Sequence, residues 1–324
     1  MLSRIVSRTF VFFAAVFLTV FAACGAPEGQ EDYEKGMAAY EAGDYTTAVT
    51  HFMTAAALNH PGAQCRLGIC YQEGKGVTKD WGEAVRWYHE AANQKDGEAE
   101  YRLGLCYLYA FGVKYDARNF VFWMEKAAKH GHVRAQAEYG VNAKDLKMLR
   151  KSAKNGNPFA QKYLADELLD REKEAKDEWY RKAAEGFRKA AEQGDASAAK
   201  ELGELYREGK VKPPDSDESG KWYRKAADLY RVAAEQGDPE AQLQLGMLYY
   251  DGKGMEKDEA EAFKWYLEAA EQGMMWGQLF VGYGYTLGHG VEKNKAEALK
   301  WFRLAADQGD DKAKDYLIKL SEPE

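Results

Sequence analysis

No long block of lysine or arginine occurs anywhere in the 324 residues. With a formal net charge of −7, that excludes the basic footprint by which proteins hold DNA or RNA. Proline is scarce, at 7, while glycine is common, at 31, so the glycines read as punctuation between ordered elements and not as linker. The histidines are few and scattered. His130 and His132 flank Gly131 with no cysteine or third histidine near, so no metal site is expected. Gly282 and Gly284 imitate part of a dinucleotide fingerprint, but the spacing is wrong and no strand precedes them. Gly74-Lys75-Gly76 and Gly252-Lys253-Gly254 lack the Ser or Thr of a phosphate loop. No nucleophile sits in a motif with a base. The residues therefore point to no catalytic group, no enzyme and no cofactor. Strand-like alternation is missing too. What is there, 46% apolar and 30% charged residues, is the composition of a chain that folds.

The N-terminus reads as a targeting segment. Arg4 and Arg8 precede an uncharged run from Thr9 to Ala23, shorter than the ~20 residues a spanning helix needs. The run ends in Phe21-Ala22-Ala23-Cys24-Gly25, which resembles a bacterial lipobox, with Phe21 departing from its usual aliphatic residue. That resemblance implies removal of residues 1–23 and diacylation of the Cys24 thiol. Two or more acyl chains give stable membrane attachment. Gly25 rather than Asp after the cysteine is similar to the sorting pattern of outer-membrane lipoproteins facing the periplasm. Residues 24–31 then form a short lipidated tether.

Internal repetition organises the rest. A phrase Ala-Ala-x-x-Gly, followed four residues later by a small residue, recurs from Ala91 to Ala313. Beginning at Ala63, the spacings are 36, 36, 25, 38, 43, 36 and 36. A period of this size means stacked helical hairpins. Within a unit, Leu67, Gly68 and Tyr71 share one face of a first helix, which Gly74 ends. Asp80 starts a second helix with Glu83 as capping-box partner, a device repeated at Asp258 with Glu261 and Asn294 with Glu297. Pro61, Pro158 and Pro239 begin first helices, where a missing N–H costs nothing. Tryptophans at 87, 123, 179, 222, 265 and 301 recur at one position of the second helix and are expected in the core. Cys70 and Cys106 hold the same place in adjacent repeats, roughly 8–10 Å apart and too far for a disulfide. A Cys65–Cys106 bridge stays open beside buried free thiols.

These residues resemble the Sel-like repeat family, relatives of the tetratricopeptide repeat. The pattern stands in full at Ala241, Leu245, Gly246, Tyr249, Gly252, Gly254, Trp265, Tyr266, Ala269, Ala270 and Gly273. The resemblance implies an all-α, right-handed α-solenoid of stacked helix-turn-helix repeats that acts as a protein–protein interaction scaffold. A tetratricopeptide-like hairpin is expected at 32–60, the Sel-like solenoid at 61–313, and a capping helix and tail at 314–324. Residues 135–220 depart from the period: one unit loses its glycine loop, and two carry an extra heptad before Ala190-Ala191 and Ala233-Ala234. That stretch is expected to bend or interrupt the solenoid.

In such solenoids the inner surface is lined by first-helix positions not used for packing. Projected onto this sequence, Cys65, Ile69, Gln72, Tyr101, Leu105 and Leu108 form one largely apolar stretch, and Leu243, Met247, Tyr250, Leu279, Tyr283 and Leu287 another. Lys162, Asp166, Lys200, Glu204 and Arg207 make a charged centre between them. The expectation is an envelope adaptor that docks a partner protein or peptide on that face, anchored by lipid and binding no nucleic acid. The alternative is an envelope hydrolase or glycan-binding protein using the same groove. Tight curvature that buries these residues against one another is the competing arrangement.

Overall fold

The computed structural model describes residues 28–167, 172–211 and 216–321. Cys24 and the rest of the targeting segment lie outside the described residues, as do 322–324. Among the described residues there are seventeen α-helices and no strand, and the chain is an all-α repeat protein.

Two compact units divide it at Lys79 and Asp80. The first holds α1 (Gln30–Glu41), α2 (Tyr45–Ala57) and α3 (Pro61–Glu73). Asp44 caps α2 by accepting the Thr47 N–H at 3.1 Å. Gly36 on α1 faces the fully buried Phe52 ring so closely that a Cβ there would lie 2.6 Å from it. Cys65 and Cys70 on α3 are buried free thiols, and burial pushes Cys70 up to about 11.

The second unit opens with α4 (Trp81–Asn93) and continues as hairpins α5 (Gly97–Tyr109) with α6 (Ala117–Lys129), α7 (Val133–Asn142) with α8 (Leu146–Lys154), and α9 (Pro158–Glu167) with α10 (Lys173–Glu192). Then come α11 (Ala196–Arg207) with α12 (Ser216–Glu235), α13 (Pro239–Asp251) with α14 (Glu259–Glu271), α15 (Met275–Leu287) with α16 (Lys295–Asp307), and α17 (Asp311–Ser321). Cys106 on α5 is also a buried free thiol, raised by burial to about 12.

The helix starts follow the sequence, with one difference. Asp80, Asp258 and Asn294 each accept the N–H three residues on, at 2.9–3.1 Å. The glutamates expected to reach back do not. Glu83, Glu261 and Glu297 pair forward instead with Arg86, Lys264 and Lys300, so each cap is half of a capping box.

The core is set by the residue after each tryptophan. Tyr88, Tyr180, Tyr223 and Phe302 are at most 3% exposed, and Met124 takes the place in α6 at 1%. The expectation of a tryptophan core holds only at Trp123; Trp87, Trp179, Trp222, Trp265 and Trp301 are half-buried. The first helix explains the difference. Its glycine lies directly over the following ring, so that a Cβ at Gly203, Gly246 or Gly282 would meet Tyr223, Tyr266 or Phe302 at 3.0, 2.6 and 2.6 Å. In these three hairpins the glycine thus makes room for one ring, and the tryptophan one residue earlier is turned about 100° round the helix.

The irregular stretch bends the rules without breaking the stack. α7 and α8 shrink to 10 and 9 residues, while α10 and α12 reach 20 against the usual 13. The extra heptad adds two turns and keeps the face, as the spacing implied. Successive helices pack continuously through it, so the expected interruption is absent among the described residues. α12 begins at Ser216; 212–215 lie outside the described residues. α17 begins at Asp311, three residues ahead of the expected capping helix.

One joint device was missed in the sequence. A glutamine on the first helix donates to the carbonyl of the preceding Ala-Ala pair: Gln136 to Ala128, Gln161 to Ala153, Gln242 to Ala234 and Gln278 to Ala270, at 3.0–3.4 Å. At the corresponding place on α5 stands Glu100, fully buried, with Oε2 2.7 Å from His130 Nδ1 and Oε1 unsatisfied. Burial raises its pKa above the ordinary carboxylate value, and the His130 hydrogen bond opposes this only in part. A carboxyl that holds its proton more tightly when folded stabilises the fold in acid and costs stability as pH rises through its folded pKa. Glu100→Gln is therefore expected to flatten the fall in urea midpoint above about pH 4.5 and to stabilise the fold by about 1 kcal/mol at pH 7. An unchanged pH profile would show that Glu100 is not the group responsible.

Candidate functional site

The expected inner face is largely used up by packing. Tyr101 is 8% exposed; it stacks on His132 at 4.2 Å and packs on Met124, Ala127 and Ala135. Leu243 and Leu279 are 3% and 1% exposed. These three do not lie on an open face. Leu105, Leu108 and Met247 are half-buried. The charged centre is compensated internally: Lys162 pairs with Glu201 at 2.6 Å, Lys200 donates to Gln244 at 2.8 Å, Asp166 takes the Tyr180 hydroxyl, and Glu204 takes Tyr223 and Arg207.

The two apolar stretches are also not separate ends. Tyr109 at the end of α5 donates to Glu240 at the start of α13, 3.4 Å away. Ala110 is buried in one cluster with Met275, Leu279 and Phe302, and Tyr115 packs against that cluster. The second unit curls so that its early and late repeats meet. This is the tight-curvature arrangement, and it follows from stacking identical joints that each turn the chain the same way. Where they meet, Arg134 bonds Glu138 at 3.2 Å, and burial raises the pKa of both Glu138 and Glu240.

An open cavity lies at the C-terminal end. Glu259, Phe263 and Tyr266 fall on one face of α14, at i, i+4 and i+7. Phe280, Tyr283 and Leu287 do the same on α15. Tyr250 from α13, His289 from the following loop and Tyr316 from α17 complete the wall of a cavity of about 220 Å³. Gly284 matters here, because a Cβ would lie 2.6 Å from the Phe263 ring that α15 must pass. Tyr283 and Tyr316 rings lie 4.9 Å apart and Tyr266 and Phe280 5.0 Å. The Tyr250 hydroxyl and His289 Nδ1 share a hydrogen bond at 2.9 Å. Glu259 supplies the one carboxylate; its hydrogen bond to Lys257 holds its pKa below the ordinary value. Of the sequence candidates, the structure gathers Tyr250, Tyr283 and Leu287 into this site. Phe263, Tyr266, Phe280 and Tyr316 were missed, because their spacing also reads as ordinary core.

Away from the cavity, His132 and Glu98 hold the joint between α5 and α7. His132 caps α7 by accepting the Ala135 N–H on Nδ1, so its proton sits on Nε2, facing Glu98 at 3.1 Å. That bond, ahead of Arg102, lowers Glu98 to about 2. Among the described residues no group of three or more His, Cys, Asp or Glu is placed to hold a metal ion, and no helix is long and apolar enough to cross a membrane.

The Sel1 repeat model matches residues 61–96, 97–132, 178–186, 187–195, 196–230, 239–274 and 277–310. The chain belongs to the Sel1 repeat family. The segment that family model skips, 133–177, holds the short hairpin α7–α8 and all of α9. No curated protein matches the sequence. Among solved structures, a protective antigen of uropathogenic Escherichia coli displaying an SLR fold is 26% identical, over 90% of this chain and 83% of that one, with a TM-score of 0.43. A Sel1 repeat protein from Oxalobacter formigenes is 29% identical over 89% of each chain, with a TM-score of 0.32. Sel1 repeat proteins generally serve as non-enzymatic protein-interaction scaffolds.

Proposed function

We propose that this Sel1 repeat protein is a non-enzymatic adaptor of the bacterial cell envelope, tethered by lipid on Cys24 and holding a partner protein at the cavity between α13 and α17. The cavity carries the reading: it is an open, mostly aromatic concavity, whereas Tyr101, Leu243 and Leu279 of the expected inner face are closed by packing. Tyrosine-rich pockets suit protein contacts, since each ring brings large area at low entropy cost. Leu287, 50% exposed on the rim, extends the apolar surface outward.

Leu287→Glu tests this without touching the core. It is expected to weaken capture of the partner about tenfold or more, with an unchanged melting curve. Tyr283→Ala is a poorer probe, because Tyr283 also packs on Phe302 at 5.5 Å and on Tyr316. Equal capture by wild type and Leu287→Glu would rule the cavity out as the docking site. Lipobox similarity supports the tether, and Cys24→Ala is expected to abolish fatty-acid labelling and move the protein out of the membrane fraction. Continued pelleting with membranes, with no label on wild type, would overturn it.

A further inference from the structure

The cavity lies where a feature of the two preceding hairpins is missing. In α9–α10, the core ring Tyr180 donates its hydroxyl to Asp166, and Lys210 from the next loop approaches the same oxygen at 3.0 Å while lying 5.0 Å from the ring centroid. In α11–α12, Tyr223 donates to Glu204, and Lys253 from the next loop lies 3.7 Å from that carboxylate and 5.7 Å from the ring centroid. Each triad joins a core tyrosine, an acid two residues after the first-helix leucine, and a loop lysine.

In α13–α14 the tyrosine remains and both partners change. Met247 stands where Asp166 and Glu204 stand, and its thioether is only a weak acceptor with no charge. His289 stands where Lys210 and Lys253 stand, in Gly288-His289-Gly290, and it bonds Tyr250 instead. Tyr266 lines the cavity, and among the described residues its hydroxyl makes no hydrogen bond. The space is thus the place of an absent ammonium, walled by aromatic rings and bordered by Glu259. Lys257 shows that this wall accepts a cation: its Nζ lies 5.2 Å from the Tyr250 ring centroid at the rim.

We propose that the cavity is a cation-accepting pocket that receives a lysine or arginine side chain of the partner protein, in the position filled by the chain's own lysine in the two preceding hairpins. The inference rests on the adaptor reading and specifies its chemistry. The incoming cation gains the quadrupoles of the rings and the Tyr266 oxygen as acceptor, with the Glu259 carboxylate nearby shared with Lys257, 2.8 Å away. An overall charge of −7 favours a basic partner segment.

The test uses Nα-acetyl-lysine N-methylamide as probe, titrated into the purified chain carrying 13C-labelled tyrosine, with the uncharged norleucine analogue alongside. Saturable shifts of tyrosine ring resonances are expected with the lysine compound, and binding about tenfold weaker or worse with norleucine. His289→Lys restores the missing lysine from within; it is expected to abolish probe binding while keeping the fold, since lysine serves the same loop in the preceding hairpins. Tyr266→Phe keeps the ring and is expected to weaken binding several-fold. Equal binding of norleucine, no saturable shift, or undiminished binding by His289→Lys would overturn the proposal. A failed titration with Leu287-dependent partner capture intact removes only the cation assignment. A positive titration with Leu287-independent capture removes the docking site and keeps a small-cation pocket.

Discussion

Phe302→Ala is expected to destabilise the protein by about 3–5 kcal/mol, the range for truncating a fully buried aromatic residue. Phe302 is 0% exposed and holds together three elements: Gly282 of α15 lies against its ring, Tyr283 is 5.5 Å away, and Tyr316 of α17 stacks on it at 5.0 Å. Its loss leaves a cavity that a glycine on one side cannot refill. Because each hairpin leans on its neighbours, the damage spreads to α17 and the cavity wall. Trp301→Ala, one residue earlier and half-buried, is expected to cost clearly less. Urea midpoints of the two variants decide it: the reverse order would restore tryptophan as the core residue.

Gly290→Ala is expected to cost about 3 kcal/mol or more, from backbone strain and collision together. Gly290 has φ +71°, and an added Cβ would lie 2.0 Å from the Glu259 carbonyl oxygen, which belongs to the first turn of α14 and cannot move away without unwinding it. Gly273 separates the two causes. Its φ is +90° with nothing within 4 Å, so Gly273→Ala carries the conformational penalty alone, about 1 kcal/mol. Gly290→Ala should also reduce partner capture, since it displaces Glu259 and the neighbouring His289. Equal thermal midpoints for the two alanine variants would show that the loop yields, and that the close approach of backbone to backbone is not what fixes it.

The hairpins themselves were legible because their signals are local. A cap such as Asp258, a stop such as Gly252 and a Leu-Gly phrase each act within one turn of helix, and all three appear where the residues put them. The tryptophan core was misread because period alone cannot tell two adjacent positions apart. Only the partner glycine, a whole helix away, decides that Tyr223 rather than Trp222 is covered. The inner face was misread for a longer-range reason. Whether Leu279 is open or buried depends on Ala110 arriving from five hairpins earlier, and no feature near residue 279 announces it. Tyr250 and Leu287 stayed at the site at the C-terminal ends of their helices, while Tyr283 lines the cavity and also packs against the cluster that Ala110 joins. The missing acid at Met247 and the missing lysine at His289 were visible as letters all along. They became informative only once Tyr180 and Tyr223 showed what normally fills those places.

The most direct test of the adaptor reading is photo-crosslinking in living cells, with a photoreactive phenylalanine analogue placed at Leu287 on the cavity rim and, separately, at Val232, which is 58% exposed on α12. The account predicts a discrete protein adduct from position 287, lost when His289→Lys fills the cavity, and no such adduct from position 232. The same adduct from both positions, or none from 287, would contradict it; one from 287 that persists in His289→Lys would remove only the cation assignment.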